Sequence, residues 1–215
     1  MSRARPGWPA TTVGSESTRE TILITASQVF IAQGYEQASM DEIALKSGVA
    51  RRTLYNHFAS KKALFDATMV RLWEHMPLAD IVDVSVESRP PAEVLYETGR
   101  AIADFWAPPE AVAFLRLVIW ESARFPELTD SFMNIGREPA RGAVKRYVRL
   151  LSKTPDFDIN DPDLAASQFI DVILGEILLD RLVASRHPAL SKRRCDYVVR
   201  EAVALFLSRY RVQTS

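Results

Sequence analysis

The segment from Met40 to Lys62 constrains the fold more than any other part of the chain, because two short helical patterns meet there at a glycine. It reads MDEIALKSGVARRTLYNHFASKK. Residues 39–42 have the S-x-x-E pattern that caps a helix N-terminus, and Gly48 supplies the turn before a second helix over residues 51–58. Five apolar residues can lock the two helices together: Ile43, Ala44, Val49, Leu54 and Phe58. The segment therefore predicts a helix-turn-helix.

An amphipathic helix precedes this segment and completes a three-helix module. From Thr18 the apolar residues follow the spacing of one helical face, and Gly34 stands where a helix commonly ends. Residues 1–17 are rich in Pro, Ser, Thr and Gly and show no periodicity, which predicts a flexible arm. We therefore expect an N-terminal arm over residues 1–17, followed by a helix-turn-helix DNA-binding domain over residues 18–62.

The second helix of the pair carries outward side chains of the kinds that contact DNA. Arginine offers a bidentate fork to guanine or phosphate, threonine offers a hydroxyl or methyl group, and tyrosine and histidine offer donors to phosphate oxygens. Lys61 lies at the start of a fourth helix, where the positive helix end also favours a phosphate. The candidate DNA-binding residues are Ser39, Arg51, Arg52, Thr53, Tyr55, Asn56, His57 and Lys61.

The distribution of charge favours this assignment, although the net charge does not. The chain holds 27 Lys and Arg against 27 Asp and Glu, so its formal net charge is zero. Residues 1–62 hold eight Lys or Arg against five acids, a surplus of +3 that the remaining residues balance with −3. This asymmetry favours a small basic module joined to a mildly acidic body.

The spacing of residues across the module resembles the N-terminal signature of the tetracycline-repressor family. The matching positions are Phe30-x-x-x-Gly34-Tyr35, Ile43-Ala44, Gly48-Val49, Leu54-Tyr55-x-His57-Phe58 and Lys61-x-x-Leu64. Residues 115–118 and 121–128 are similar to a C-terminal subgroup of these regulators. Ala50 departs from the pattern, because the family commonly has a Ser or Thr cap there, and the loss costs about 1 kcal/mol of helix stability.

The resemblance implies a dimeric bacterial transcription regulator with a helical, ligand-responsive body. It implies that Tyr55, His57 and Lys61 bind phosphates, while residues 51–53 contact bases or neighbouring phosphates. A small-molecule effector would bind the body and release the operator. Repression is expected rather than activation, because a two-domain protein with no evident polymerase-contact segment acts most simply by occlusion.

Helical periodicity continues through the rest of the chain, so the predicted fold class is all-α. After a fourth helix that ends at Pro77, proline-bearing breaks separate five more helices, with predicted ranges 92–107, 109–124, 127–152, 162–185 and 190–210. Pro139 should kink or split the third of these. Residues 78–91 predict a loop, since a short strand at 81–84 would have no partner strand. Residues 63–215 form the expected effector-binding and dimerisation domain.

Aromatic residues on the body helices predict either a packed core or an apolar effector cavity. The residues alone leave both open, and the family resemblance favours a cavity for a small, largely apolar molecule. Glu121 could orient that molecule, or it could form a structural ion pair with Arg124 three residues on. The candidate effector-binding residues are Phe105, Trp106, Phe114, Leu117, Trp120, Glu121, Phe132, Ile170 and Ile173.

The last two predicted helices, 162–185 and 190–210, carry more apolar residues than one buried face needs. A two-fold interface of four helices would use the surplus. Such a homodimer presents two recognition helices about 34–36 Å apart, one turn of DNA. The double-stranded operator should therefore be a near-palindrome.

Other classes of protein fit the sequence less well. The three histidines are not spaced as metal ligands, and no H-E-x-x-H, G-x-S-x-G or glycine-rich phosphate loop occurs. We therefore expect no enzyme activity, metal or cofactor, and the single Cys195 cannot form an internal disulfide. A helical adaptor that binds protein instead of DNA stays open. No apolar run is long enough to span a membrane, so a cytoplasmic location is expected.

Overall fold

The computed structural model describes residues 17–83, 88–184 and 188–212 of the chain. These residues form one π-helical segment, Phe132–Arg137, and eleven α-helices. The helices are α1 (Thr18–Gln33), α2 (Met40–Lys46), α3 (Arg51–His57), α4 (Lys61–Trp73), α5 (Leu78–Val82), α6 (Pro91–Trp106), α7 (Pro109–Glu121), α8 (Pro126–Ser131), α9 (Glu138–Leu151), α10 (Pro162–Val183) and α11 (Lys192–Tyr210). The all-α prediction is confirmed. Residues 1–16 of the predicted arm lie outside the described residues.

The loop predicted over residues 78–91 is wrong in its first part, which forms the short helix α5. Leu78 and Val82 are four residues apart, so one helical turn places both on the same side, and both are buried. The strand alternative is wrong for residues 81–83, and Val84 lies outside the described residues. α4 ends at Trp73 and does not reach Pro77 as predicted.

The predicted split near Pro139 is confirmed. The helix expected over residues 127–152 is divided into α8, the π-helical segment and α9. Proline removes one backbone donor and crowds the preceding turn, and the wider π-helical turn stands directly before α9. Such turns are rare and local, which explains why periodicity alone indicated one continuous helix.

The described residues form two compact units. The first unit contains residues 17–75 and 113–137, and so combines α1 to α4 with most of α7, all of α8 and the π-helical segment. Its core is aromatic: Phe65 stacks on Phe114 with ring centroids 5.5 Å apart and meets Phe30 edge-on at 5.4 Å. Rings in these arrangements stabilise a core beyond the area they bury. The frame around α2 and α3 is therefore tightly packed.

The second unit contains the described residues of 76–112 and 138–212. Its centre is α6, which packs against both α10 and α11. Gly99 permits this close approach, because a Cβ there would lie 2.7 Å from Cγ1 of Val199. None of the described helices in either unit is both long and apolar enough to cross a bilayer.

A glycine to alanine change in the π-helical segment tests the packing of the first unit. Gly136 is buried, and a Cβ there would overlap the indole ring of Trp73. We expect Gly136→Ala to lower the free energy of unfolding by about 1–3 kcal/mol, the usual cost of overpacking a core. Chemical denaturation followed by circular dichroism measures this change.

Gly142 in α9 provides the matched control, because the nearest atom to its added Cβ is Arg146 Nη1 at 3.9 Å. Gly142→Ala should raise the free energy of unfolding by roughly 0.5–1 kcal/mol, since alanine favours helix. Equal effects of the two substitutions would contradict the assigned contact between Gly136 and Trp73.

Candidate nucleic-acid interface

α2 begins at a side-chain cap that fulfils half of the predicted capping box. Ser39 Oγ accepts a hydrogen bond from the Glu42 backbone N–H at 3.2 Å. The Glu42 carboxylate turns instead to Lys46 at 2.8 Å and to Gln33 Nε2 at 2.5 Å, and these hydrogen bonds lower its pKa. Ser39 is therefore engaged in shaping α2, and Glu42 connects α2 to the end of α1.

α3 is held in place by packing and has no side-chain cap. Ala50 stands at its N-cap and makes no such hydrogen bond, as the sequence indicated. Gly48 turns the chain with φ of 69°, in the left-handed region that favours glycine. Leu54 and Phe58 are buried in the core of the first unit. These inward residues fix which side of α3 faces outward.

The outward side of α3 gathers most of the predicted DNA-binding residues. Five of them are exposed together on this surface: Arg51, Arg52, Tyr55, Asn56 and His57. Arg51 forms an ion pair with Asp41 at 2.7 Å, and its guanidinium lies 5.8 Å from the Tyr55 ring centroid. Thr53 is half-buried. Among the described residues Arg52 has no hydrogen-bonding or ionic partner, so its guanidinium is available to a ligand.

Lys61 does not join this exposed set. Its ammonium donates to the backbone carbonyl oxygens of Tyr35 at 2.7 Å, Glu36 at 3.0 Å and Ala38 at 2.9 Å. An ammonium has three hydrogens, so each is engaged by the loop between α1 and α2. Burial lowers the pKa of Lys61. A phosphate contact would require Lys61 to give up at least one of these hydrogen bonds, and that contact stays a prediction.

Glu121 closes the same loop with the opposite charge. Its side chain is buried, and Oε1 accepts from the backbone N–H groups of Tyr35 at 2.8 Å and Glu36 at 3.3 Å. Gly34, with φ of 86°, makes room, because a Cβ there would lie 2.9 Å from that oxygen. Arg124 pairs with Glu36. The predicted ion pair between Glu121 and Arg124 is therefore wrong, and the role of Glu121 in orienting an effector stays a prediction.

Two family models match the chain in succession. The model described as "Bacterial regulatory proteins, tetR family" matches residues 22–68. The model described as "AefR-like transcriptional repressor, C-terminal domain" matches residues 93–212, which is more than half of the chain. This chain belongs to the TetR family. α2 and α3 are therefore the helix-turn-helix of a TetR-family regulator, and the family is one of transcriptional regulators rather than enzymes.

Curated relatives of this TetR-family protein are transcriptional regulators by name. The regulator SrpR of Pseudomonas putida is 28% identical over 142 residues, which are 62% of this chain and 64% of SrpR. The activator FasR of Mycolicibacterium smegmatis is 46% identical over 56 residues, 26% of each chain. The repressor BepR of Brucella suis is 43% identical over 54 residues, 25% of this chain and 26% of BepR. The chain spans less than two thirds of the length of these relatives.

Solved structures extend the likeness to nearly the whole chain. The structure of the flavonoid-responsive regulator FrrA matches with a TM-score of 0.71 and 27% identity, over 92% of this chain and 98% of FrrA. A TetR-family regulator from Pseudomonas syringae pv. tomato matches with a TM-score of 0.74 and 24% identity, over 93% of this chain and 100% of that one. The second match shows the fold alone.

The effector-binding residues predicted in the first unit contribute mainly to its core. Phe114 and Leu117 are buried with α1 and α4, and Phe132 packs edge-on against Trp73 at 5.8 Å between ring centroids. Trp120 is 85% exposed in this chain, and its predicted place in a cavity wall stays a prediction.

The candidates in the second unit are also buried. Phe105 and Trp106 meet edge to face at 5.0 Å between ring centroids, and Ile170 and Ile173 lie inside the same unit. Arg181 Nη1 donates to the Trp106 carbonyl oxygen at 2.9 Å. These contacts match the packed-core alternative, and a role in effector binding stays a prediction.

Sequence reasoning missed a buried hydroxyl that has no internal partner. Tyr147 is fully buried, and its Oη has no hydrogen-bond partner among the described residues. Burial raises the pKa of Tyr147 to about 12, so the hydroxyl is a neutral donor at physiological pH. Its position on the apolar side of α9, beside Val144 and Val148, gave only a core signal.

Replacing Lys61 tests its structural role. Lys61→Met keeps the length of the side chain and removes three hydrogen bonds from the loop between α1 and α2. We expect a loss of roughly 1–2 kcal/mol in the free energy of unfolding, because partly buried carbonyl groups lose a charged donor. Lys46→Met removes an exposed pair with Glu42 and should change stability by about 0.5 kcal/mol or less. If the two variants were equally stable, Lys61 would not stabilise the loop between α1 and α2.

Proposed function

We propose that this TetR-family protein is a homodimeric repressor that leaves its operator when a small, largely apolar effector binds. The exposed, unpartnered guanidinium of Arg52 on α3 is the single observation that best supports DNA contact. The match to a repressor-type C-terminal model supports repression. The FasR and BepR matches do not distinguish repression from activation. Each covers only about a quarter of the chain, and one relative is named an activator and the other a repressor. The proposed location is the cytoplasm.

The proposed DNA contacts divide by the chemistry of each side chain. Arg52 reads a base edge or a phosphate directly, because it has no internal partner to lose. Arg51 exchanges its ion pair with Asp41 for a phosphate or a base, at a modest cost since both groups are exposed. Tyr55 and His57 donate to phosphates, and Thr53 and Asn56 contact bases or phosphates nearby. Ser39 acts indirectly through α2.

The proposed dimer forms through α10 and α11. Each helix buries one apolar side inside its own unit. Each also leaves large apolar residues exposed: Leu164, Val172, Leu179, Val183, Tyr197 and Leu205. A groove of about 330 Å³ runs between them and is lined by residues that include Phe169, Val172 and Leu205. A second copy of the same face would cover this surface. The two recognition helices would then meet a near-palindrome.

The proposed effector is an aromatic molecule that carries an oxygen acceptor. The second unit supplies buried aromatic residues and the unpartnered Tyr147 hydroxyl, and FrrA is named as flavonoid-responsive. Moving the regulator from 99:1 in favour of the operator-competent state to 1:99 requires about 5.5 kcal/mol of preference by the effector. Operator DNA must weaken effector binding by the same factor.

Replacing Arg52 tests the DNA contact. Arg52→Ala should weaken operator binding by about 1–3 kcal/mol if it reads a base, or lower the salt slope by about one if it meets a phosphate. Fluorescence anisotropy with DNA from beside the protein's own gene, at several salt concentrations, measures both. Arg193→Ala removes an exposed cation in the second unit and should change neither quantity. Arg52 is not a DNA contact if its variant behaves like the Arg193 variant.

A charge placed on α11 tests the dimer. Leu205→Glu puts a carboxylate where the proposed interface is apolar, so the protein should become monomeric in light scattering at micromolar concentration. Leu45→Glu replaces an exposed leucine of α2, outside the proposed interface, and should leave the dimer intact. A dimer that survives Leu205→Glu would place the interface elsewhere.

Removing one hydroxyl tests the effector site. Tyr147→Phe should raise the free energy of unfolding by about 1 kcal/mol, because it removes an unsatisfied buried polar group. It should weaken binding of the flavonoid naringenin at least tenfold, measured by calorimetry, whereas Tyr197→Phe at an exposed position should not. A Tyr147 variant that is no more stable and binds naringenin equally well would refute the assignment.

A further inference from the structure

The second unit contains a cavity of about 580 Å³ that none of the proposed contacts uses. Its wall is built from the end of α6, the short link to α7, and the start of α11 with the residues before it. The residues that matter here are Arg100, Asp104, Pro108, Leu190, Lys192 and Cys195. The volume falls in the range of cavities that hold small organic molecules.

Arg100 has a buried donor that lacks an acceptor. Its Nη2 donates to Asp104 Oδ1 at 2.5 Å. Its Nη1 is buried and has no hydrogen-bond partner within the described part of the chain. Buried guanidinium donors are almost always satisfied. A hydrogen-bond acceptor on a bound molecule would satisfy the Nη1 donor of Arg100.

The charge of the cavity wall favours an anion. Among the described lining residues there are two cations, Arg100 and Lys192, and one carboxylate, Asp104, which is already engaged by Arg100. Lys192 is exposed at the first residue of α11, and the described residues offer it no ionic partner. A monoanion would therefore neutralise the excess positive charge of the wall.

The rest of the wall is apolar. Pro108 and Leu190 present hydrocarbon surface, and the Cys195 side chain is buried beside them. Burial raises the pKa of the Cys195 thiol, so the thiol adds no negative charge at neutral pH. An inorganic anion would leave this surface uncovered, whereas a molecule with an apolar body would cover it.

We propose that this cavity binds a small organic acid. Its carboxylate accepts from Arg100 Nη1 and faces the Lys192 ammonium, while its apolar body contacts Pro108 and Leu190. The proposal concerns binding by the second unit alone. It holds or fails independently of operator binding and of the effector assigned above.

Cys195 provides a local reporter, because it is the only cysteine in the chain. The full-length protein is labelled with a chromogenic disulfide reagent in the presence of benzoate, of benzamide as its uncharged analogue, or of inorganic phosphate. Benzoate should slow labelling at least tenfold, and the other two should not. Equal protection by benzamide or phosphate would overturn the proposal. So would no protection by benzoate up to roughly 10 mM, well above a millimolar Kd.

Two variants locate the carboxylate. Arg100→Gln should weaken benzoate binding in calorimetry at least tenfold, and Lys192→Gln at the exposed rim should weaken it severalfold. Arg89→Gln, which removes an arginine paired with Glu97 outside the cavity wall, should leave it unchanged. If Arg100→Gln does not fold, Lys192→Gln decides, and an unchanged affinity in that variant would overturn the proposal.

Discussion

The loop between α1 and α2 depends on two opposite charges that hold its backbone. The Lys61 ammonium binds three carbonyl oxygens, and the Glu121 carboxylate binds two N–H groups of the same loop. Because backbone groups away from water are costly to leave unpaired, we expect both side chains to stabilise the conformation of this loop. That conformation joins α1, α4 and α7 around the aromatic core of the first unit.

α3 benefits from this rigid frame. It has seven residues and no side-chain cap, so its own helical propensity cannot stabilise it in water. Leu54 and the following Phe58 anchor α3 to the core. On its outward side, Arg51 forms an ion pair with Asp41, and the other exposed side chains do not hold the helix in place. Side chains on that surface can therefore be chosen for a ligand, which is what a DNA-reading helix requires.

Local patterns predicted the helix-turn-helix well, because capping, the turn at Gly48 and the apolar spacing all act within a few residues. The roles of Lys61 and Glu121 could not be predicted in this way. Glu121 meets Tyr35 across 86 positions of sequence, and no periodicity encodes that contact. The sequence did not predict the exposure of Trp120 for a related reason. Its residue type shows only that it is apolar, and the packing of α7 determines which side of the helix is covered. The family resemblance identified the module and left such individual roles undetermined.

A hydroxyl-radical footprint on DNA from beside the protein's own gene reports the DNA contact, the dimer geometry and the spacing of the two half-sites in one measurement. A dimer that binds DNA through α3 should protect two patches related by a dyad, with centres about 10–10.5 base pairs apart or a multiple of that distance. Protection should persist in Arg193→Ala, which leaves α3 and the proposed dimer face unchanged. It should be lost at moderate salt in Arg52→Ala. No protection of that DNA, or a single patch without a dyad, would show that the protein does not bind there as a two-fold dimer.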